Sequence, residues 1–275
     1  MTLSTIRNNP AKQKKVKTKK QKAIAATCAV AFWLLVWHVV SLCVGSELVL
    51  VSPVKVVQTL FTVIFDPDFL KTVWYSAVRI LGGFFTALTL GTVLGWVASR
   101  FWVVETLLRP ITAVIKATPV ASFIILVLLW FSGKNLSVII SMLMVFPVIY
   151  MNVLEGIRSA DEKLLEMAQV FRLSVGKKLL YIYLPAVAPF FVSACSVSLG
   201  LCWKSGIAAE VIGTPDGSIG AVFYQAKIFL QTSELLAWTV VVVAVSVAFE
   251  KLFMLLLRLV LKKLKMEDVL NGKRA

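Results

Sequence analysis

Six stretches of this chain, 23–44, 76–99, 115–131, 136–153, 186–203 and 235–257, are apolar and nearly free of charge. About twenty helical residues cross a hydrocarbon core of roughly 30 Å. Backbone inside that core must satisfy its own hydrogen bonds, so only helices or a closed barrel qualify. The stretches do not alternate as barrel strands do. The expected fold is therefore all-α, a polytopic membrane protein with about six transmembrane helices. Composition agrees: 59% of the residues are hydrophobic and mean hydropathy is +0.87, well above a soluble domain.

The net charge of +15 has a distribution that explains it. Residues 1–22 carry eight Lys and Arg and no acid, and 261–275 form a second basic tail. Basic flanks of membrane spans mark the cytoplasmic side and meet the lipid bilayer there. Placing 1–22, 100–116, 155–185 and 258–275 inside assigns 22 of the 29 basic residues to the cytoplasm. Both termini are expected there, and the N-terminus is not expected to be a cleaved signal. No nucleic-acid module accompanies the charge. The expected organisation is a basic tail at 1–22 and a first transmembrane helix at 23–44. An external interfacial segment at 45–75, a core at 76–260 and a basic tail at 261–275 follow.

Local signals refine this plan. Ser52-Pro53 opens a short helix bearing Val54, Val57, Leu60, Phe61 and Ile64, and Asp66-Pro67-Asp68 stops it and caps the next. Gly91 and Gly95 form a small-xxx-small pair in the second span. Thr118-Pro119 lies near the start of the third span and Pro147 inside the fourth. A polar outer stretch is expected around 205–220. Lys204 and Glu210 sit near the outer end of the fifth span, too far apart to share a helical face. They are read as a gate, as a contact for an external partner, or as residues placed at the interface. Glu250-Lys251 is read as snorkelling or lying at a dimer seam. Cys28, Cys43, Cys195 and Cys202 have no metal-ligand spacing and there is one histidine, His38. No metal site, cofactor or catalytic constellation is expected.

The connector at 155–185 is too long and too patterned for a plain loop. Ser159 and Glu162 read as a capping box, with Leu164, Leu165, Ala168 and Phe171 recurring at helical spacing. A break falls at Arg172-Leu173-Ser174. Ser174 then caps a second helix from Val175 to Tyr183 that ends at Leu184-Pro185. The pair either lies on lipid headgroups or docks into a partner's groove.

Glu166-Met167-Ala168, followed by Ile182-Tyr183-Leu184-Pro185, resembles the E-A-A … G … I-x-L-P loop of binding-protein-dependent ABC importer permeases. Glu166, Ala168, Ile182, Leu184 and Pro185 match by position. Met167 replaces the second alanine and Arg172 the glycine, while Gly176 is out of register. Ser76 to Phe84, Arg109-Pro110 with Thr118 to Ala121, Leu201 to Glu210, and Gly217 to Gly220 resemble further segments of the nitrate/sulfonate/taurine-type branch. The resemblance spans about residues 70–260.

The resemblance implies the ABC type I importer permease (MetI-like) fold in a bacterial cell membrane. It also implies a homodimer, two copies of a separate ATPase subunit and an extracytoplasmic substrate-binding protein. The coupling residues it implies are Leu164, Glu166, Ala168, Phe171, Arg172, Leu173, Gly176, Ile182, Leu184 and Pro185. Leu164, Ala168, Phe171 and Leu173 are expected as apolar knobs, with Glu166 pairing to the ATPase or capping the second helix. The chain holds no GxxxxGK[ST] loop, since Ser174 to Lys178 lacks its first glycine and the final hydroxyl. ATP hydrolysis is thus expected in the partner. The solute stays open among sulfonate, taurine, nitrate and vitamin precursors. The rival reading, a stand-alone secondary transporter or channel, calls for inverted repeats or an intramembrane ion site, and neither is visible.

Overall fold

The computed structural model describes residues 19–264, with side chains from residue 24 onward. Most of the two basic tails, 1–18 and 265–275, lies outside the described residues. All regular structure among the described residues is helical. The chain divides into two units, Met1–Lys55 and Val56–Ala275.

The first unit holds α1, Lys19–Val44, whose exposed Trp33, Leu35 and Leu42 suit a lipid-facing span. Gly45, at φ +63°, turns the chain, and Ser41 Oγ closes the turn by donating to Leu50 O at 3.1 Å. Helix α2, Pro53–Ile64, starts with its proline in the first turn, as expected, and Ser52 Oγ accepts from Lys55 N at 3.4 Å.

The second unit is built around α3, Phe69–Arg100, α6, Gly133–Arg158, and α9, Leu184–Gly213. Helix α3 begins at Phe69 rather than Ser76. Within Asp66-Pro67-Asp68 it is Asp66 that closes the turn: its Oδ1 accepts from Asp68 N at 2.8 Å, while the Asp68 side chain makes no cap bond. Helix α6 is central and α3 and α9 pack on it along their lengths. Glycines set the approach. A Cβ on Gly83 would strike Val138 O, and one on Gly91 or Gly95 would crowd Ile149, Tyr150 and Val153 at 3.0–3.1 Å. The matching order of these contacts makes α3 and α6 parallel. Gly156 against Val187 and Ser141 against Cys202 make α9 antiparallel to both. Ile80, Phe84, Val145, Ile149, Leu199 and Trp203 fill the space between them.

Gly83→Ala is expected to destabilise the protein by about 2 kcal/mol, because the backbone oxygen it would meet cannot turn aside. Gly82→Ala, one residue away in open space, should be neutral or slightly stabilising. Thermal unfolding of both variants in the same detergent checks the contrast.

The expected third span, 115–131, is not one helix. Helix α4, Trp102–Ala117, and α5, Val120–Trp130, meet at 110°. Thr118 is extended (φ −82°, ψ 134°), as the residue before a proline prefers, so the helix must stop there. Helix α5 alone reaches only about 16 Å, half of a bilayer core. Five helices are long and apolar enough to cross a membrane, and a sixth crossing exists only as this bent pair.

Three further boundaries differ. After α6 come α7, Glu162–Val170, and α8, Val175–Lys178, the latter running through a π-helical turn, Leu179–Tyr183, straight into α9. Leu184-Pro185 therefore does not end a helix. The wider turn sends Leu184 N to Leu179 O and absorbs the N–H that Pro185 lacks. Helix α9 continues to Gly213, through much of the expected polar loop, and α10, Ile219–Ile228, follows unforeseen. Helix α11, Thr232–Lys263, completes the described chain. Trp238 and Val241 of α11 pack with Ile219 of α10 and Val63 of α2.

Candidate functional site

Two regions collect the residues singled out by the sequence, one at each end of the α3/α6/α9 core. The first is the α7–α8 pair. Asp161, not Ser159, caps α7, its Oδ1 accepting from Lys163 N at 2.9 Å, whereas Ser159 Oγ donates back to Gly156 O at the end of α6. The capping box fails because Ser159 still belongs to the preceding helix end.

The other end of α7 is closed by a Schellman turn. Leu173 N donates to Ala168 O at 2.9 Å, Arg172 N donates to Gln169 O at 3.0 Å, and Arg172 adopts φ +49°. This is the position where the resembling loop carries glycine, and the left-handed geometry is kept without it. A non-glycine residue held there is strained by about 1 kcal/mol. Arg172→Gly is thus expected to stabilise this turn, read as slower hydrogen exchange at Arg172 and Leu173.

The motif residues divide into two faces. Ala168 is fully buried and Ile182 nearly so, and both pack with Ala160, Leu165, Leu173 and Tyr183. Ala168 is therefore not a knob, and Leu173 is half-buried in the same cluster. These side chains hold α7 against the π turn. Leu164, Met167, Val170, Phe171 and Val175 are exposed, Phe171 at 71% and Val170 at 79%. The first four run along one side of α7 and its cap, flanking the line on which Leu165 and Ala168 turn inward. Val170 and Val175 were missed because neither belongs to the motif. Glu166 is exposed, and neither it nor Ser174 caps α8, whose first turn has no side-chain cap. Gly176 faces open space, and Leu184 and Pro185 are half-buried.

The second region surrounds Glu210, which is fully buried rather than interfacial. Its Oε2 accepts from Ser76 Oγ at 2.6 Å and from Gly220 N at 3.4 Å, and Ser76 Oγ in turn accepts from Ile219 N at 2.9 Å. Ser218 Oγ accepts from Ala221 N at 3.0 Å. The first three amides of α10, orphaned in any helix, thus all find side-chain acceptors, and an acidic group sits at the positive end of the helix dipole. Ser137 lies beside the carboxyl group, yet its Oγ and Glu210 Oε1 make no hydrogen bond of good geometry. Gly220 has to be glycine here, since a Cβ would collide with Glu210 itself. Lys204 is exposed and has no part in the cluster. Ser76 was legible only as part of a resemblance, because its partner lies 134 residues away. Glu250 accepts from Ser196 Oγ at 2.8 Å, a contact between α9 and α11.

Among the described residues no group of His, Cys, Asp and Glu can hold a metal ion.

Comparison with known proteins places this architecture. Residues 87–266 match the family described as binding-protein-dependent transport system inner membrane component. A Bacillus subtilis protein provisionally named an aliphatic sulfonates transport permease protein, SsuC, is 29% identical over 232 residues, 83% of each chain. The taurine transport system permease protein TauC of Escherichia coli is 27% identical over 78% of this chain and 80% of its own. The nitrate import permease protein NrtB of Synechocystis is 25% identical over 74% and 76%.

Proposed function

The chain belongs to the family of binding-protein-dependent transport system inner membrane components, and from that premise we propose that α7 and α8 form the coupling element of an ATP-driven importer. The protein is a multi-pass membrane permease component of an ABC importer, not itself an enzyme. In the proposed assembly two copies of it form a homodimer, two copies of a separate ATPase subunit dock at the α7–α8 end, and an extracytoplasmic substrate-binding protein delivers the solute. The α7–α8 end then faces the cytoplasm, with both termini, in keeping with the basic residues gathered in 100–116 and 155–185. The solute is a small one, such as a sulfonate, taurine, nitrate or a vitamin precursor.

The observation that carries the coupling reading is the division of α7 into two faces. Ala168 and Ile182 spend one face on fixing the pair to α9, which leaves Leu164, Met167, Val170 and Phe171 presented on a braced support. A helix presenting such a stripe fits a hydrophobic groove. Because α8 runs unbroken into α9, a displacement of the docked pair passes directly into a core span. ATP binding that favours one arrangement of the ATPase pair would then favour one arrangement of the spans.

Co-purification of the tagged chain from its native membrane in mild detergent tests this. Recovery of an ATPase subunit at one per permease is the expected result. A chain that emerges alone, under conditions that keep other such complexes together, would refute the coupling role of α7 and α8.

A further inference from the structure

Helix α4 is held to the core by one narrow strip. Val104, Glu105, Leu108, Thr112 and Ile115 turn inward, and the other residues of α4 are exposed. At its C-terminal end the extended Thr118 breaks the helix, so α4 and α5 meet at 110° with no continuous hydrogen-bond ladder to stiffen the joint. A cleft of about 540 Å³ lies beside it, lined by residues of α4 and α6 and by Phe190 of α9. Helix α4 therefore has a hinge at one end and room along one side.

An ion pair ties down the other end. Arg158, the last residue of α6, donates to Glu105 in the first turn of α4. The Glu105 side chain is only 26% exposed, so the pair is partly withdrawn from water. Tyr150 stands about two turns back along α6. Its ring packs with Val104 and Leu108, which lie on either side of Glu105 on the inward strip of α4. Tyr150 is 3% exposed, and its hydroxyl has no hydrogen-bond partner among the described residues. Glu105 and Arg158 are the two charges that act on that hydroxyl. Native structures rarely leave a buried hydroxyl unmatched, and an exception calls for an explanation. Here the acceptor that could match it is a carboxylate already taken by an arginine.

We propose that Glu105 is a two-position latch. It holds Arg158 in the arrangement seen here and accepts from the hydroxyl of Tyr150 in a second one, in which α4 has moved along α6 and narrowed the cleft. A phenol donating to a carboxylate makes a charge-assisted hydrogen bond, so the second position offers a partner of the same order as the first. Two arrangements of similar free energy are what a switching element requires. The latch takes its trigger from the coupling element described above and rests on that reading. Just beyond Arg158, Ala160 packs with Ala168 of α7. A displacement of α7 therefore pulls on Arg158 and, through it, on Glu105. Glu105, Arg158 and Tyr150 act as positioning residues, which set where α4 lies against the inner part of the core.

The test uses the purified full-length chain in lipid nanodiscs. Asn152→Cys places a thiol in the cleft wall, and its alkylation by N-ethylmaleimide reports how open the cleft is. Mass spectrometry of the peptide carrying that thiol separates it from the four native cysteines. In this background Arg158→Ala frees Glu105 for Tyr150 and is expected to slow alkylation about fivefold, the scale of one net hydrogen bond. Tyr150→Phe alone should stay within about twofold of the parent, since the hydroxyl it removes is idle in the arrangement seen here. Arg158→Ala combined with Tyr150→Phe should return to the parent rate, because the second position is gone. An ion pair that merely braced α4 would give the reverse: its loss would loosen the helix and speed alkylation, and Tyr150→Phe would not restore the rate. Alkylation of Arg158→Ala that is faster than the parent or unchanged, or that stays slow when Tyr150→Phe is added, overturns the latch. The readout needs no ATPase, so failure of the latch and failure of the coupling element, read by co-purification, are separate results.

Discussion

Phe171→Asp is expected to abolish solute uptake while the permease still inserts and folds. Phe171 ends the exposed stripe of α7 and contributes nothing to the cluster that binds α7 to α9, so the folded chain does not depend on it. In a docked complex, the phenyl ring would go from mostly exposed to buried, a gain of about 2–3 kcal/mol. An aspartate in the same groove forfeits that gain and adds the cost of removing a carboxylate from water. A loss of affinity of at least about a hundredfold follows. The measurement is paired: ATPase recovered with the tagged variant, and uptake by cells carrying it. Normal uptake would remove Phe171 from the docking face. An equivalent change at Ala168 should behave differently, since a charge there breaks the cluster with Ile182 and unfolds the pair before any docking occurs.

Glu210→Ala is expected to be the most destabilising single substitution near the other end of the core. It deprives Ser76 and Gly220 of an acceptor in a fully buried position and leaves a cavity where the side chain stood. Two unmatched donors and the void together amount to about 4 kcal/mol. The weakest point is the start of α10, where Ile219 N and Gly220 N depend on Ser76 and Glu210. Glu210→Gln retains an acceptor oxygen of the same reach, and its amide can donate to the idle Ser137 Oγ. It should remain close to the parent in stability. Melting temperatures in detergent, with hydrogen exchange over residues 214–228, check both. A mild effect of the alanine variant together with loss of uptake would instead point to a direct part in transport.

The comparison of these two regions shows what was legible beforehand. The α7–α8 pair was visible because its signals are local, a helical stripe and a break within about twenty residues, although the residues expected to cap the two helices do not do so. Even there, position in the motif did not say which residues face inward. Ala168 and Phe171 both fit the apolar period of α7, and only the return of the π turn, with Ile182 and Tyr183, against α7 turned one into core and left the other at the surface. The Glu210 cluster was not legible as a cluster. Serine, glycine and glutamate near 205–220 resemble a polar loop until Ser76, from α3, is brought to them.

Hydropathy by itself determined the all-helical membrane class, because a bilayer core admits few backbone solutions and the spans need only their own composition to qualify. It also located the spans that became α1, α3, α6 and α11, although α3 starts seven residues before the expected Ser76 and α11 runs six past the expected Leu257. Where helices continue through unfavourable residues, and where they break, was decided only in the tertiary structure. The α4–α5 bend at Thr118-Pro119, the π turn ahead of Pro185 and the run of α9 to Gly213 all depend on how unpaired backbone and buried polar groups are met. Those partners come from elsewhere in the chain, and their distance along the sequence is the reason the local pattern could not contain them.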